Sequence, residues 1–413
     1  MKADAVVLGA GIVGVSVALH LQAKGRDVVL VDKGGTAGDE TSFGNAGLIE
    51  RSSIFPYSFP RDLRMLLKYA LNQTSEANYH LSALPSVLPW LLKYAAQSSE
   101  AGKLRSAMAA LPLIERCVTE HEALMAQAGV MDLCKKIGWI KMFRKSETME
   151  KALKDAEKIQ QYGINYDVLD GAALAQREPH LETGLLGAIH FTDPAFVPDP
   201  GALVKAYAKL FTSRGGRFLK GDATTLAQVA KGWRVTTAEG YLEARDVIVA
   251  LGPWSDKIFR PLGYPIPLGI KRGYHMHYQR QGNAVLNHSV LDVDNGYLIA
   301  PMNKGIRLTT GAEFARRDAP KTPVQLAKVE PIARKLFPLA ERLDLAPWMG
   351  ARPCLPDMLP VIGPAPRHKG LWFDFGHQHH GLTLGPVSGR LLAEMIVGEA
   401  PFTDPKPYRA DRF

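Results

Sequence analysis

Ala5-Val6-Val7-Leu8, then Gly9-Ala10-Gly11-Ile12-Val13-Gly14, then an apolar helical run to about Lys24 closed by Gly25, then Val28-Val29-Leu30-Val31-Asp32: this opening stretch decides the fold. Short apolar runs bounded by glycine read as buried parallel strands, and the helical spacing between them completes one βαβ unit. The three glycines have separate jobs. Gly9 allows the tight turn, Gly11 lets a diphosphate approach the backbone, and Gly14 lets helix pack on strand. The helix amino terminus then offers free N–H groups and partial positive charge to phosphates. Asp32, ending the second strand, can accept hydrogen bonds from both ribose hydroxyls. A glycine-rich turn without a ligand is the plain alternative, but strand before, helix after and acid at the end together favour a dinucleotide. The unit alone does not separate FAD from NAD.

Outward from this unit the chain is long. At 413 residues it exceeds what one core usually fills, so two are expected. An apolar fraction of 46% with 22% charged residues is that of an ordinary globular protein and argues against extensive disorder. The formal charge of +9 suits anionic cofactors, carboxylates or acidic lipid, yet the basic residues are scattered, and no stripe of aromatics and arginines points to nucleic acid. Cys117, Cys134 and Cys354 form no CxxC pair, so neither a disulfide framework nor a cysteine zinc site is suggested, and a reducing, cytoplasmic compartment is expected. The amino terminus shows no signal-peptide pattern, and no apolar stretch is long enough to span a bilayer.

Residues 54 to 159 read as a largely helical insertion punctuated by prolines. Asp246 to Gly252 reads as a second buried parallel strand meeting a glycine turn, and Leu371 to Phe375, Gly376 and a helix from about Leu382 to Val397 repeat that logic. Short β-type runs between Ile270 and Thr310 suggest an antiparallel floor for a substrate pocket. The expected fold is therefore α/β, α+β overall: a discontinuous Rossmann-like domain from 1–50, 196–258 and 350–413, and a substrate domain of antiparallel sheet plus helices from 51–195 and 259–349.

Glu40-Thr41-Ser42-Phe43-Gly44-Asn45-Ala46-Gly47 resembles the second flavin contact of the D-amino-acid oxidase superfamily. Four later segments agree in order: Ala250 to Ser255, Gly350 to Pro353, Asp357 to Gly363, and Gly376-His377 through Gly381-Leu382-Thr383. Within that superfamily the chain is most similar to bacterial D-amino-acid dehydrogenases and glycine oxidases, and the likeness covers essentially the whole chain. The resemblance implies non-covalent FAD held by Gly9, Ala10, Gly11, Ile12, Val13, Gly14, Asp32, Lys33, Thr41, Ser42, Asn45, Ala46, Gly47, Leu48, Ala223, Ala250, Gly252, Trp254 and the run Gly376, His377, Gln378, His379, His380, Gly381, Leu382, Thr383. It also implies Arg352 as the carboxylate clamp, with Tyr297 beside it, Glu313 and Phe314 as pocket walls, and the D configuration; the plain alternatives are a sheet-packed Tyr297 and a Glu313 that hydrogen-bonds structurally. Chemistry agrees on the arginine, whose planar fork meets a carboxylate with two parallel bonds that a lysine cannot reproduce. His379 departs from the glycine-oxidase pattern, which carries arginine there.

Either His379 or His380 could accept the ammonium proton that leaves before hydride does. With His275 and His277 these histidines invite a metal reading, but no HExxH or carboxylate-paired motif accompanies them, so no metal is expected. The expected reaction is oxidative deamination of a small amino acid or a cyclic imino acid by hydride transfer to the flavin, with electrons passed to quinone, another carrier or oxygen. A nicotinamide enzyme and a non-catalytic FAD-binding subunit are the other classes left open. Arg61, Arg64 and Lys68 lie opposite Leu63, Leu66, Leu67 and Leu71. That pattern reads first as a helix covering the substrate domain, and second as a peripheral membrane contact. Cys354 reads as a packed thiol.

Overall fold

The computed structural model describes residues 1–60 and 62–413. Lys2–Leu8 pairs in parallel with Val28–Asp32 on one side and with Gly240–Val249 on the other. Arg217–Val229 extends the sheet beyond Val28–Asp32, Leu371–Phe375 extends it beyond Gly240–Val249, and Val361–Pro364 closes that edge antiparallel. Gly232–Thr237 joins the far halves of Arg217–Val229 and Gly240–Val249 into an antiparallel meander. Both faces of the parallel part are covered, which is why its strands are apolar without alternation. Ala5, Val7, Leu30 and Ile248 pack against the helices Ile12–Ala23, Glu100–Ala128, Pro200–Ser213 and Gly381–Val397. Val6, Val29, Val31, Val247 and Val249 pack against Trp233, Val235 and Leu242 of the meander.

The second sheet is centred on Gly269–Arg280, which pairs antiparallel with Gly305–Thr309, with Leu339–Arg342 and with Trp348–Cys354. It continues through Tyr297–Met302, Ser289–Asp292, Trp139–Phe143, Gly187–Phe191 and Tyr166–Asp170. Alternate residues face opposite ways. Met276, Tyr278, Tyr297, Ile299 and Leu308 enter a core completed by the helix Val324–Leu336. Lys271, Gly273, His275 and His277, with their ladder partners Arg352, Trp348 and Arg307, take the other face, where Leu298, Ala300 and Met302 join the core of the nucleotide sheet.

The chain crosses between the sheets more often than the expected segments suggest. Glu100–Ala128, inside 51–195, packs on the helical layer of the nucleotide sheet, whereas residues 350–354 run on the second sheet. Among its described residues the stretch 54–159 holds four α-helices and also two strands, Ala77–Tyr79 and Trp139–Phe143. The helix Leu63–Ala70 buries none of its residues, so it does not cover the substrate domain as its pattern first suggests. Arg61 lies outside the described residues.

Candidate active site

At the first turn Gly9 and Gly14 meet their expected demands. Gly9 has φ of +107°, and a Cβ there would lie 2.6 Å from the Ala250 carbonyl oxygen. A Cβ on Gly14 would lie 1.9 Å from the Gly9 carbonyl oxygen, so helix and strand touch through backbone. The helix Ile12–Ala23 starts on Gly11 with no side-chain cap of its own; instead the Ile12 N–H donates to Ser42 Oγ at 3.1 Å. Asp32 holds the turn from the next strand, with Oδ2 accepting from Ala10 N–H at 2.8 Å and Oδ1 from Gly34 N–H at 2.7 Å. Lys33 beside it is exposed, and Ala223 and Trp254 are half-buried at the rim of the same sheet.

The helix Gly381–Val397 also begins uncapped, at His380. Gly385 and Gly389 let it lie against the first helix, for Cβ atoms there would come within 3.0 Å of Ile12 Cγ1 and 2.8 Å of Val17 N. Both helices follow parallel strands of one sheet, so two amino termini, each with partial positive charge, open at the same end. The loop Thr41 to Leu48 lies across them. Thr41 Oγ1 donates to the Ala351 carbonyl, Asn45 Oδ1 accepts from Gly47 N–H, and Leu48 pairs with Phe196. Thr383 Oγ1 accepts from Glu50 N–H at 3.1 Å, which ties this loop to the second helix. Gly47, at φ of +83°, leaves no room for a Cβ beside the Val197 carbonyl.

Residues 376–380 divide their work. His377 turns inward to Ser388 Oγ (3.1 Å) and the buried Asp374 (3.3 Å), so its ring anchors the helix rather than facing a ligand. Gln378, at φ of +58°, gives its N–H to the Pro353 carbonyl. His379 and His380 remain at the opening with ring centroids 3.8 Å apart.

The structure does not bring Tyr297 to Arg352. They stand on opposite faces of the second sheet, and Tyr297 is buried near Asp292 and Arg144. Glu313 is likewise on the far face, bonded at 2.6 Å to Arg272 Nε and at 2.8 Å to Tyr274 Oη. Arg352 itself faces the two helix termini's loop. Its guanidinium lies over Gly273, where a Cβ would be 2.5 Å away, and its one protein hydrogen bond runs to the Gly311 carbonyl at 3.2 Å. Among the described residues no carboxylate pairs with it, and burial lowers its pKa.

A family model described as FAD dependent oxidoreductase matches residues 4–395. The chain belongs to this family. It is 28% identical over 419 residues to a D-amino-acid oxidase of Bradyrhizobium diazoefficiens, covering 98% of each chain. It is 29% identical over 400 residues to a D-amino acid dehydrogenase of Xylella fastidiosa, covering 94% of this chain and 91% of the relative. Among solved structures, glycine oxidase from Geobacillus kaustophilus shares the fold with a TM-score of 0.75 and 22% identity, covering 100% of this chain and 99% of that one. FAD is this family's cofactor, and the features here that could hold it are a turn with no room for a Cβ at Gly9 or Gly14, two helix amino termini without side-chain caps, and Asp32 beside the turn. Cys354 is buried and its thiol pKa is raised by that burial, as a packed residue's would be.

Around Arg352 this FAD-dependent protein places residues that the sequence reading missed. Lys271 stands directly opposite Arg352 in the strand ladder, its ammonium over the rings of Tyr94 (4.6 Å), Trp90 (5.1 Å) and Phe314 (5.7 Å). Burial lowers its pKa, and it too has no carboxylate partner among the described residues. Tyr57 is 61% accessible, and its ring lies 5.1 Å from that of His379. Glu50 Oε2 lies 3.1 Å from His380 Nε2. Burial alone would raise the Glu50 pKa, but the His380 hydrogen bond and the neighbouring imidazoles overcome it and hold it at about 2. His275 and His277 serve the loop instead. His277 bonds Asp344 Oδ2 at 2.7 Å and accepts from Arg307 Nε at 2.9 Å, Arg307 in turn holds the carbonyls of Phe43 and Asn45, and His275 stacks on Trp348.

Proposed function

We propose that this chain dehydrogenates the Cα–N bond of a small amino acid or cyclic imino acid, in the D configuration that the relatives' names carry. One observation carries the reading: Arg352 is a desolvated guanidinium with no acid of its own, on the face of the second sheet that looks toward the cofactor cradle. A fork so placed is matched by a carboxylate in two parallel charge-assisted bonds. Bound FAD, held non-covalently, supplies a two-electron acceptor for hydride. The chain's part is to fix the acid group so that Cα is aimed, to wall the cavity with Tyr57, and to exclude water. The amine becomes an imine, which water converts to a 2-oxo acid and ammonia; a ring nitrogen would leave the product cyclic. Anaerobic mixing with D-amino acids, glycine, sarcosine and proline analogues tests the reading, and a yellow protein that none of them bleaches would end it.

We infer further that the electrons pass to quinone or another carrier at a membrane surface. Leu63 and Leu67 are 81% and 61% exposed on a helix that also carries Arg64 and Lys68, and Leu88 and Leu92 are exposed on the helix Leu84–Gln97. An apolar stripe with a basic rim suits the headgroup boundary of an anionic bilayer. No helix among the described residues is long and apolar enough to cross one. Rapid reoxidation by dissolved oxygen, with no response to a quinone, would favour the oxidase alternative.

A further inference from the structure

We propose that His379, backed by the Glu50–His380 pair, is the proton acceptor for the substrate's ammonium group. This rests on the amino-acid reading above. The observation behind it is an orphan beside the clamp: His379 Nε2 is buried and has no hydrogen-bond partner, one of fourteen such side-chain atoms among the described residues and the one whose ring feels the Arg352 charge together with that of Glu50. Its ring lies 3.8 Å from that of His380 and 5.1 Å from that of Tyr57, the accessible ring that feels both Glu50 and Arg352. The free nitrogen therefore belongs to a ring that lies within reach of the charge of the Arg352 clamp.

Amino acids arrive as zwitterions, and a nitrogen that holds its fourth bond to hydrogen cannot form the C=N double bond. One N–H bond must break first, its electron pair staying on nitrogen as the lone pair that later makes the imine. The step moves one proton and no electrons, and His379 becomes imidazolium. A base for this purpose has to be neutral before substrate binds and tolerated as a cation afterwards. Burial is the largest influence keeping His379 neutral, with the charges of His380, Arg352 and Lys271 acting the same way and Glu50 opposing them. Once the substrate carboxylate covers Arg352, the balance shifts toward the Glu50 charge and the imidazolium is favoured. Clamp and base are thus coupled: binding of the acid group switches on the acceptor for the ammonium proton.

Glu50, His379 and His380 also bring three donor atoms within 4.8 Å of one another, a spacing that invites a cation. Two uncompensated cations, Arg352 and Lys271, act on the same spot and oppose a third, whereas a zwitterion brings its own negative charge.

The test compares holoenzyme and its His379→Gln and Glu50→Gln variants in the rate of flavin reduction across pH, with propionate binding as a second readout. In His379→Gln the rate at pH 7 should fall about 100-fold or more. It should recover toward wild type at high pH, where the substrate amine is already free. Propionate, which has a carboxylate and no amine, should bind both proteins alike. Glu50 is a positioning residue, and Glu50→Gln should move the acidic limb to lower pH and lower the plateau. Partial restoration of His379→Gly by added imidazole should follow. A rate depressed equally at every pH, or stoichiometric zinc that co-purifies with wild type and is lost in His379→Gln, overturns the proposal. If wild type is bleached and His379→Gln keeps its pH profile, the proton acceptor alone is refuted; if no amine bleaches wild type, the functional reading falls with it.

Discussion

Replacing Arg352 by methionine should move stability and binding apart. The guanidinium makes one bond, to the Gly311 carbonyl at 3.2 Å, and losing it removes about 1 kcal/mol. Against this, an uncompensated charge leaves a desolvated place, which is a gain of similar size. The net change should stay within about 1 kcal/mol, less than about 4 °C in Tm. Carboxylate binding responds quite differently, because an anion in that cavity would have lost its charged partner: about 3–5 kcal/mol, or about 100- to 4,000-fold weaker. The protein should remain yellow, since the cofactor cradle is elsewhere on the nucleotide sheet. Thermal melts and titration of the flavin absorbance with propionate measure the two quantities. A melting point lowered by about 8 °C or more with propionate affinity unchanged would make Arg352 a structural residue and refute the argument.

Gly14→Ala should give colourless or insoluble protein, because its Cβ would lie 1.9 Å from a backbone oxygen; a yellow, normally melting variant would contradict the contact. Tyr297→Phe should leave KM for the substrate unchanged, since the ring faces away from Arg352, and a tenfold rise would return it to the site. Burial holds His121 neutral down to about pH 4 and His275 down to about 2, while in the unfolded chain both titrate near 6.5. Below 6.5 the unfolded state thus binds protons that the native state does not, so stability is full above 6.5 and should fall by about 1.4 kcal/mol per pH unit per group toward pH 4. Equal urea midpoints at pH 7.5 and 5 would sink that account. Leu63→Glu with Leu67→Glu should abolish co-sedimentation with anionic vesicles and spare the melting temperature; loss of stability instead would mean that the helix packs on protein.

The βαβ unit was legible because its signals are local: turn glycines, an apolar run on either side, an acid at the end. Arg352, proposed above as the carboxylate clamp, stood out in the sequence through its motif. Tyr297 was not correctly placed, and the reason lies in register. Tyr297 to Ala300 is buried on both faces, so no alternation says which side of the strand meets the pocket; only the pairing of Leu298 with Thr309, and of Thr309 with His275, decides it. Glu313 takes the structural hydrogen-bonding role that was its alternative reading, set on the far face by its pairing with Arg272. Lys271 and Glu50 were invisible because each acquires its meaning from a partner far along the chain, Arg352 in one case and His380 in the other. The stripe on Leu63–Ala70 was visible, but a pattern that marks an apolar face does not say whether protein or solvent lies against it.

The second sheet handles buried cations in two ways, and the contrast bears on why the site is where it is. On the far face Arg272 is neutralised by Glu313 at 2.6 Å and further satisfied by the carbonyls of Ala319 and Pro320. One ladder position away, Arg352 and Lys271 stand side by side on the near face with no acid between them. Both are half-buried; an unpaired cation with part of its water removed is unfavourable, and two adjacent ones repel. A chain able to pair Arg272 so completely could do as much for its neighbours, and the contrast supports the proposal that Arg352 takes a carboxylate from the substrate. The same reasoning demands a thermal consequence: propionate should raise the melting temperature of the holoenzyme in proportion to the logarithm of its concentration, and should do so far less in Arg352→Met.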